Sequence, residues 1–519
     1  MKRLAFASLL ILLCTGCADD PAESAAPGPD SPSMHESSVI PGVFRIKLRE
    51  GAGELSSGPF TRSGAGIAAV DEAATRAGAT EIRNLFADSE RFRERHRKAG
   101  LHLWYEVRFG GDVPVAEAMT RFGAPDEVEV MEPVYRMVPV ETSAAAQQAL
   151  ASTALAAPFD DPMLDLQWVY RNDGTLPGSI AGADLNVYPA WTLCGGSSDV
   201  IVAVADGGID FDHPDLAANM WDDGEGHCGF NFCTDSNEIT PSEHGTRVAG
   251  MIGAVNGNGI GVCGIAGGDG TPGSGVKLMS CQIFADAPDA HSASIEALMV
   301  WAADHGAVIS QNSWNYVGLS DLSASGKAAI DYFIEYAGMD ENGIQTGPMA
   351  GGIVIFAAGN GNTSTPQYPA AYEKVIAVGS LCSDFRKAAT SNYGEWVDLV
   401  AFGGESTGSD GRNCPFTTDL GGGYIYASGT SMACPQVSGI AALAAAHYGS
   451  KGPGFTAAML REMLIASGRR EMAERCNPGY EGAFGAGLVD CEYLFFHNEA
   501  PEPVRDATAV GRRYRIEVE

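Results

Sequence analysis

The sequence predicts an α/β protein: a mostly parallel sheet covered by helices on both faces, preceded by a small ferredoxin-like α/β unit. Three observations lead there. Residues 200–205, 352–358 and 375–379 are short apolar runs bounded by glycine, and Val308 to Ser313 reads as a further strand, with helix-length stretches between them. Strands buried on both faces read this way, and parallel sheets are built from them. Residues 39–140 differ, mixing alternating strand patterns with short helical ones. Finally, a composition of 45% apolar and 19% charged residues over 519 positions is globular. It excludes collagen, coiled coil and global disorder.

The elements follow in chain order. Lys2 and Arg3 precede an apolar run over residues 4–13, too short to span a bilayer. Leu13-Cys14-Thr15-Gly16-Cys17 then resembles a bacterial lipobox, with Cys14 where Leu is usual. This implies a signal peptide over 1–17, lipid on Cys17 and attachment to a membrane; cleavage after Ala18 without lipid is the alternative. Residues 18–38, rich in Pro, Ala, Ser and Asp, read as a flexible tether. In 39–140, residues 43–48 and 102–109 are strands, 65–77 and 114–122 are helical, and 128–140 form a last strand containing Pro133. Two β-α-β halves of this kind suggest a ferredoxin-like sandwich. The basic run 91–98 reads as solvated. Residues 141–158, rich in Ala, Ser and Thr, form either a linker or a marginal helix and mark the domain boundary. The large α/β domain occupies 159–497, and 498–519 is a polar tail.

A net charge of −32 excludes nucleic acid as a natural partner, because binding it needs a basic face. Ten of the twelve cysteines lie at or after Cys194, none of these in CxxC spacing, so disulfides are expected rather than a zinc site. Cys228 and Cys233 flank a hairpin-like loop and are the first expected pair, followed by Cys382–Cys414 and Cys476–Cys491. Cys434, on an apolar helix, is expected buried and free.

Three segments carry chemistry. Val204-Ala205-Asp206-Gly207-Gly208 ends a buried strand. Glu243-His244-Gly245-Thr246 opens an apolar helix. Ser428-Gly429-Thr430-Ser431-Met432-Ala433 sets a serine on a Gly-rich turn before a helix over 437–447. A helix N-terminus favours developing negative charge, which suits a nucleophile. Each segment alone is an ordinary turn or cap. Together, in the order Asp, His, Ser, they resemble the subtilisin-like serine proteases, or subtilases, over about residues 159–495.

That resemblance implies the rest. Ser431 is the nucleophile, His244 the general base and Asp206 its orienting carboxylate. Asn360, in Ala358-Gly359-Asn360-Gly361, matches the oxyanion asparagine. Ser313, Trp314 and Asn315 match the edge that binds an extended substrate, and Gly359 and Gln367 the S1 pocket. Gln367 is neutral and no carboxylate occurs between Asn360 and Ala371, so cleavage is expected after medium apolar or neutral polar residues. Residues 39–140 resemble a subtilase propeptide, which implies an intramolecular inhibitor and a zymogen that cuts itself within 141–160. Asp215, Asn256, Asn258, Ile260 and Val262 match a structural calcium site, whose oxygen ligands suit that ion; a plain Asn/Gly turn is the alternative. The implied whole is a secreted or lipid-anchored serine endopeptidase acting on proteins or peptides.

Overall fold

The computed structural model describes residues 38–497, except 62, 141–143, 146–157, 286–292, 406–410 and 450–452, and only the backbone of 144 and 145. The expected signal peptide, Cys17, the tether up to residue 37, the tail and most of the linker lie outside the described residues.

The N-terminal module contains β1 (Val39–Leu48), β2 (Gly58–Pro59), α1 (Ala68–Ala77), β3 (Ala79–Asn84), α2 (Arg93–Lys98), β4 (Trp104–Phe109), α3 (Val115–Phe122) and β5 (Val128–Tyr135). Its strands pair antiparallel in the order β2-β3-β4-β1-β5. Without the short β2 this is the split β-α-β arrangement expected from the sequence. Phe44, wholly buried, meets Phe109 and Phe122 with ring centroids 5.8 and 5.2 Å apart. Two short strands follow, β6 (Met137–Pro139) and β7 (Ala144–Ala145). The strand expected over 128–140 is thus broken, because β6 leaves the module's sheet to pair elsewhere.

The large body begins with α4 (Val187–Trp191), β8 (Ile201–Gly207), β9 (Gly229–Asn231), α5 (Glu243–Gly253), β10 (Lys277–Phe284) and α6 (Ile295–Asp304). It continues with β11 (Ile309–Asn312), β12 (Trp314–Tyr316), α7 (Ala324–Tyr336), β13 (Ile353–Ala357), β14 (Ile376–Leu381) and β15 (Leu399–Phe402). The hairpin β16 (Phe416–Asp419) and β17 (Gly423–Ala427) precedes α8 (Thr430–Gly449), α9 (Ala457–Ala466), α10 (Arg470–Cys476) and α11 (Cys491–Phe496). Seven strands form one parallel sheet, ordered β15-β14-β13-β11-β8-β10-β9.

Side chains alternate across this sheet, as the period of two demands. Val202 and Val204 enter the core shared with α5 and α8, while Ala203 and Ala205 enter the core shared with α6 and α7. The helix α8 is buried along nearly its whole length, which is why it shows no polar face. The carboxyl ends of β8, β11 and β13 lie side by side, and there Asp206, Ser313 and Asn360 emerge. Crevices at such ends are where open α/β sheets carry their sites.

The module packs its sheet against α6 and α7. Arg45 of β1 donates to Glu296 of α6 at 2.5 Å and to Ser325 at 3.2 Å. Glu132 of β5 accepts from the backbone N–H groups of Ala324 and Ser325, at 2.8 and 3.1 Å, capping the start of α7. A carboxylate there suits the positive end of the helix dipole.

Two further expectations change. The basic run is not solvated throughout: Arg95 and His96 of α2 are buried, 4% and 6% exposed, because a carboxylate of the large body receives them. The ten described cysteines are all free thiols, so none of the three expected pairs is bonded here. Cys228 packs with the α5/α8 core and Cys233 with the opposite core, so the sheet separates the first pair. Cys434 is buried and free, as expected. Among the described residues, no helix is long and apolar enough to cross a membrane.

Candidate active site

Asp206 ends β8 and is 1% exposed. His244 stands in the first turn of α5, which Ser242 caps by accepting from the Gly245 N–H at 3.2 Å. The helix approaches the end of β8 closely: a Cβ on Gly245 would lie 2.3 Å from the Gly207 carbonyl oxygen. Only glycine permits that approach, and it brings His244 Nδ1 to 2.8 and 2.9 Å from the two Asp206 carboxylate oxygens. Burial disfavours a charged imidazole, but the Asp206 charge and hydrogen bond outweigh it, so His244 titrates above the ordinary 6.5.

Ser431 is the second residue of α8 and follows Gly429, whose φ of +118° is open to glycine alone. Its hydroxyl donates to the carbonyl oxygen of Val140. The Val140 carbonyl also helps to raise the His244 pKa, so Ser431 and His244 both face it.

Val140 is delivered by β6, which pairs antiparallel with β12 in the register Trp314↔Pro139, Asn315↔Val138 and Tyr316↔Met137. The Val140 N–H continues the ladder to the Ser313 carbonyl at 2.9 Å. Beyond Ser431, β7 pairs with β17, Ala144 opposite Ala427 and Ala145 opposite Tyr426. Backbone pairing thus holds the chain on both sides of the serine, through β6 and Val140 before it and β7 after it. Trp314 contributes only its backbone to this edge, since its ring is wholly buried against Phe356 and Tyr316. A cleft of about 570 Å³ beside Pro139 is lined by His244, Asp206, Cys233 and Phe284.

Asn360 follows β13. Its Oδ1 accepts from the Thr430 N–H at 2.9 Å and the Thr430 hydroxyl at 3.0 Å, which fixes the amide plane beside Ser431. Gly359 donates its N–H to the same Thr430 hydroxyl at 3.1 Å.

A sequence profile described as the Subtilase family matches residues 197–487, more than half of the chain. The chain belongs to the subtilase family. It is 33% identical over 259 residues to the thermophilic serine proteinase of Bacillus sp. strain AK1, covering 50% of this chain and 55% of that protein. Thermitase of Thermoactinomyces vulgaris is 30% identical over 261 residues, 50% of this chain and 78% of that protein. Fervidolysin from Fervidobacterium pennivorans, whose structure is described as that of a keratinolytic enzyme related to subtilisin, superposes with a TM-score of 0.61 at 22% identity. That superposition covers 91% of this chain and 63% of the other, and it speaks to the fold. The chain spans about half the length of the curated relatives it matches first, 55% and 47%.

In this subtilase Gln367 turns back on its own loop, donating to the carbonyls of Thr365 and Pro366 at 3.2 and 3.3 Å. Arg247 is paired with Glu243 and Asp419, both at 2.8 Å, and ties α5 to β16.

The residues matched to calcium divide. Asp215 accepts from Asn258 Nδ2 at 2.7 Å and from the Val262 N–H at 2.8 Å, so these three converge. Asn256 instead pins the loop to Gly264 and Gly268, and the partly exposed Ile260 donates its N–H to Asn258 Oδ1. Sequence patterning misses Asp161, whose carboxylate accepts from the Gly257 and Asn258 N–H groups at 2.7 and 3.3 Å. Its proximity to Asp215 joins residues distant in sequence, so spacing carries no signal. Burial, with the Asp161 charge adding to it, pushes Asp215 up to about 7, and burial also raises Asp161. No basic side chain pairs with either among the described residues. Two buried carboxylates side by side with no basic partner are oxygen donors of the kind that suits a hard cation.

Proposed function

We propose that the chain is an exported serine endopeptidase, made as a zymogen that cuts itself between Val140 and Glu141. One observation carries this reading: the Val140 carbonyl stands at the Ser431 hydroxyl, on a strand paired with β12. In the reaction Ser431 Oγ attacks the Val140 carbonyl carbon while His244 Nε2 takes its proton. The same proton passes to the Glu141 amine as the peptide bond breaks, leaving Val140 as an acyl group on Ser431, which water then hydrolyses. Asp206 holds His244 through Nδ1 and stabilises the imidazolium. The Asn360 side-chain amide and the Ser431 N–H stabilise the tetrahedral oxyanion.

The segment 39–140 then acts as propeptide and inhibitor, its last residue seated as product. The composition of the linker puts the cut within 141–160; the seating of Val140 favours the bond that opens that segment. A buried Val140, with Gln367 turned away on its own loop, supports cleavage of protein substrates after medium apolar residues. Export and lipid on Cys17 rest on the N-terminal motif. A relative from Natrialba magadii, described as a halolysin-like extracellular serine protease, agrees with export. Calcium would be held by Asp161, Asp215, Asn258 and the loop to Val262, neutralising the two carboxylates and fixing the loop.

The test is expression of the full chain with and without Ser431→Ala. The parent should yield a fragment ending in Val140 and a new N-terminus at Glu141 by mass spectrometry. Ser431→Ala should stay intact in a host lacking other proteases. A parent cut elsewhere would refute the seating, and a normally processed Ser431→Ala would refute self-cleavage.

A further inference from the structure

The helix α2 has no part in the active site, yet its Arg95 is as deeply buried as Arg45. Arg95 uses its whole fork on the large body. Its Nε donates to the Tyr332 hydroxyl oxygen at 2.7 Å, and its Nη1 to the carbonyls of Met339 and Asp340 at 3.0 and 3.3 Å. Its Nη2 donates to the Asp304 carboxylate. Three rings surround the guanidinium carbon: Phe92 at 3.9 Å, Tyr332 at 5.2 Å and Tyr336 at 5.5 Å. His96 adds a contact from Nε2 to the other Asp304 oxygen at 2.8 Å, and the Tyr332 hydroxyl donates to Asp304 at 2.7 Å. The Arg95 and Asp304 side chains are 3% and 8% exposed. All the acceptors, and two of the three rings, come from the large body.

We propose that Asp304, Tyr332, Tyr336 and the carbonyls of Met339 and Asp340 form a guanidinium-binding exosite whose occupant is Arg95 of the chain's own propeptide. A planar fork with five N–H donors fills this set of acceptors, whereas a lysine ammonium cannot reach them together. Asp304 ends α6, the helix that Glu296 begins, so the exosite and the Arg45 contact grip opposite ends of one helix. Besides the Arg45 and Glu132 contacts, the propeptide is held by backbone pairing in the catalytic cleft and by this buried side-chain fork outside it. Cutting the chain at the cleft leaves the second grip intact. The cut propeptide stays bound through Arg95, and the exosite sets how fast it leaves.

The inference extends the zymogen reading, and its test is independent of self-cleavage. The full chain carries Ser431→Ala and a recognition sequence for a specific external protease within 146–157. After the external cut, the release rate of the N-terminal fragment is followed by size exclusion. Arg95→Ala and Asp304→Asn should each speed release at least about tenfold, since breaking one partner of a buried charge pair acts on dissociation. The double variant should release little faster than either single one. Arg95→Lys should behave like Arg95→Ala. Arg91→Ala, which removes an exposed pair with Glu341, should release at the parental rate. Melting of each uncut chain identifies any variant that fails to fold, and the remaining partner then decides. Parental release from Arg95→Ala, or acceleration by Arg95→Ala without any by Asp304→Asn, would overturn the assignment.

Discussion

Asp206 and Asp215 lie nine positions apart in sequence, are equally buried, and do opposite things. Asp206 faces an imidazole, and its charge raises the His244 pKa. Asp215 faces a second carboxylate, and burial together with Asp161 raises its own pKa to about 7. The difference is the partner, not the burial. Low-dielectric surroundings magnify whichever charge stands opposite, so one aspartate raises the pKa of an imidazole while the other has its own raised.

The comparison breaks most sharply at Asp206. Asp206→Asn should lower kcat by roughly 10⁴-fold with the melting temperature nearly unchanged, because the imidazole loses its correct tautomer while packing persists. Asp215→Asn should leave kcat within about tenfold in calcium, its burden falling on stability. If both variants lose activity equally, the division of roles is wrong.

Asn360→Ala sharpens the catalytic half. It should cost about 10²–10³-fold in kcat with little change in KM, since the amide serves an oxyanion absent from the ground state. A matching rise in KM would show it binding substrate instead.

The third outcome concerns the cation half. Excess chelator should lower the melting temperature of the processed enzyme by several degrees, and Asp215→Asn should abolish that response. In chelator, pH has a definite sign. The folded-state pKa of Asp215 is raised from 3.8 to about 7. Its contribution to stability is therefore full below 3.8 and lost as pH climbs toward 7. Calcium should flatten that slope, and equal slopes with and without the ion would refute the cation site.

The smallest effect belongs to His244. It must be neutral to accept the serine proton, and its pKa is raised above 6.5. The acid limb of kcat/KM should thus lie above pH 6.5, with activity rising as pH passes the raised value. Any stability from charged His244 has the opposite course, present at low pH and lost through that same value. An acid limb below 6.5 would mean that Asp206 does not outweigh burial.

Much of the fold and most of the catalytic site are legible in the residues alone. Asp206, His244, Ser431 and Asn360 each sit in a local signature of small residues, because a catalytic group at a strand end or helix start needs glycine nearby for close approach. Gly245 and Gly429 are such residues. Buried parallel strands are near-continuous apolar runs, so β8, β13 and β14 can be read directly. Asp161 cannot, since only folding brings it beside Asp215. The run Arg91 to Lys98 misleads for the same reason: charge alone suggests solvent, and the Asp304 carboxylate that buries Arg95 lies about two hundred residues away in the chain.

The sequence by itself determined the family, the sheet and the small-residue turns that carry the four proposed catalytic positions, because local turn geometry and the period of two write those features into neighbouring residues. Tertiary structure alone decided which carbonyl meets Ser431, which two carboxylates stand together and which arginine of the basic run is buried. Each of these depends on a pair of groups distant in the chain, and burial makes their interaction strong only once folding has removed the water between them.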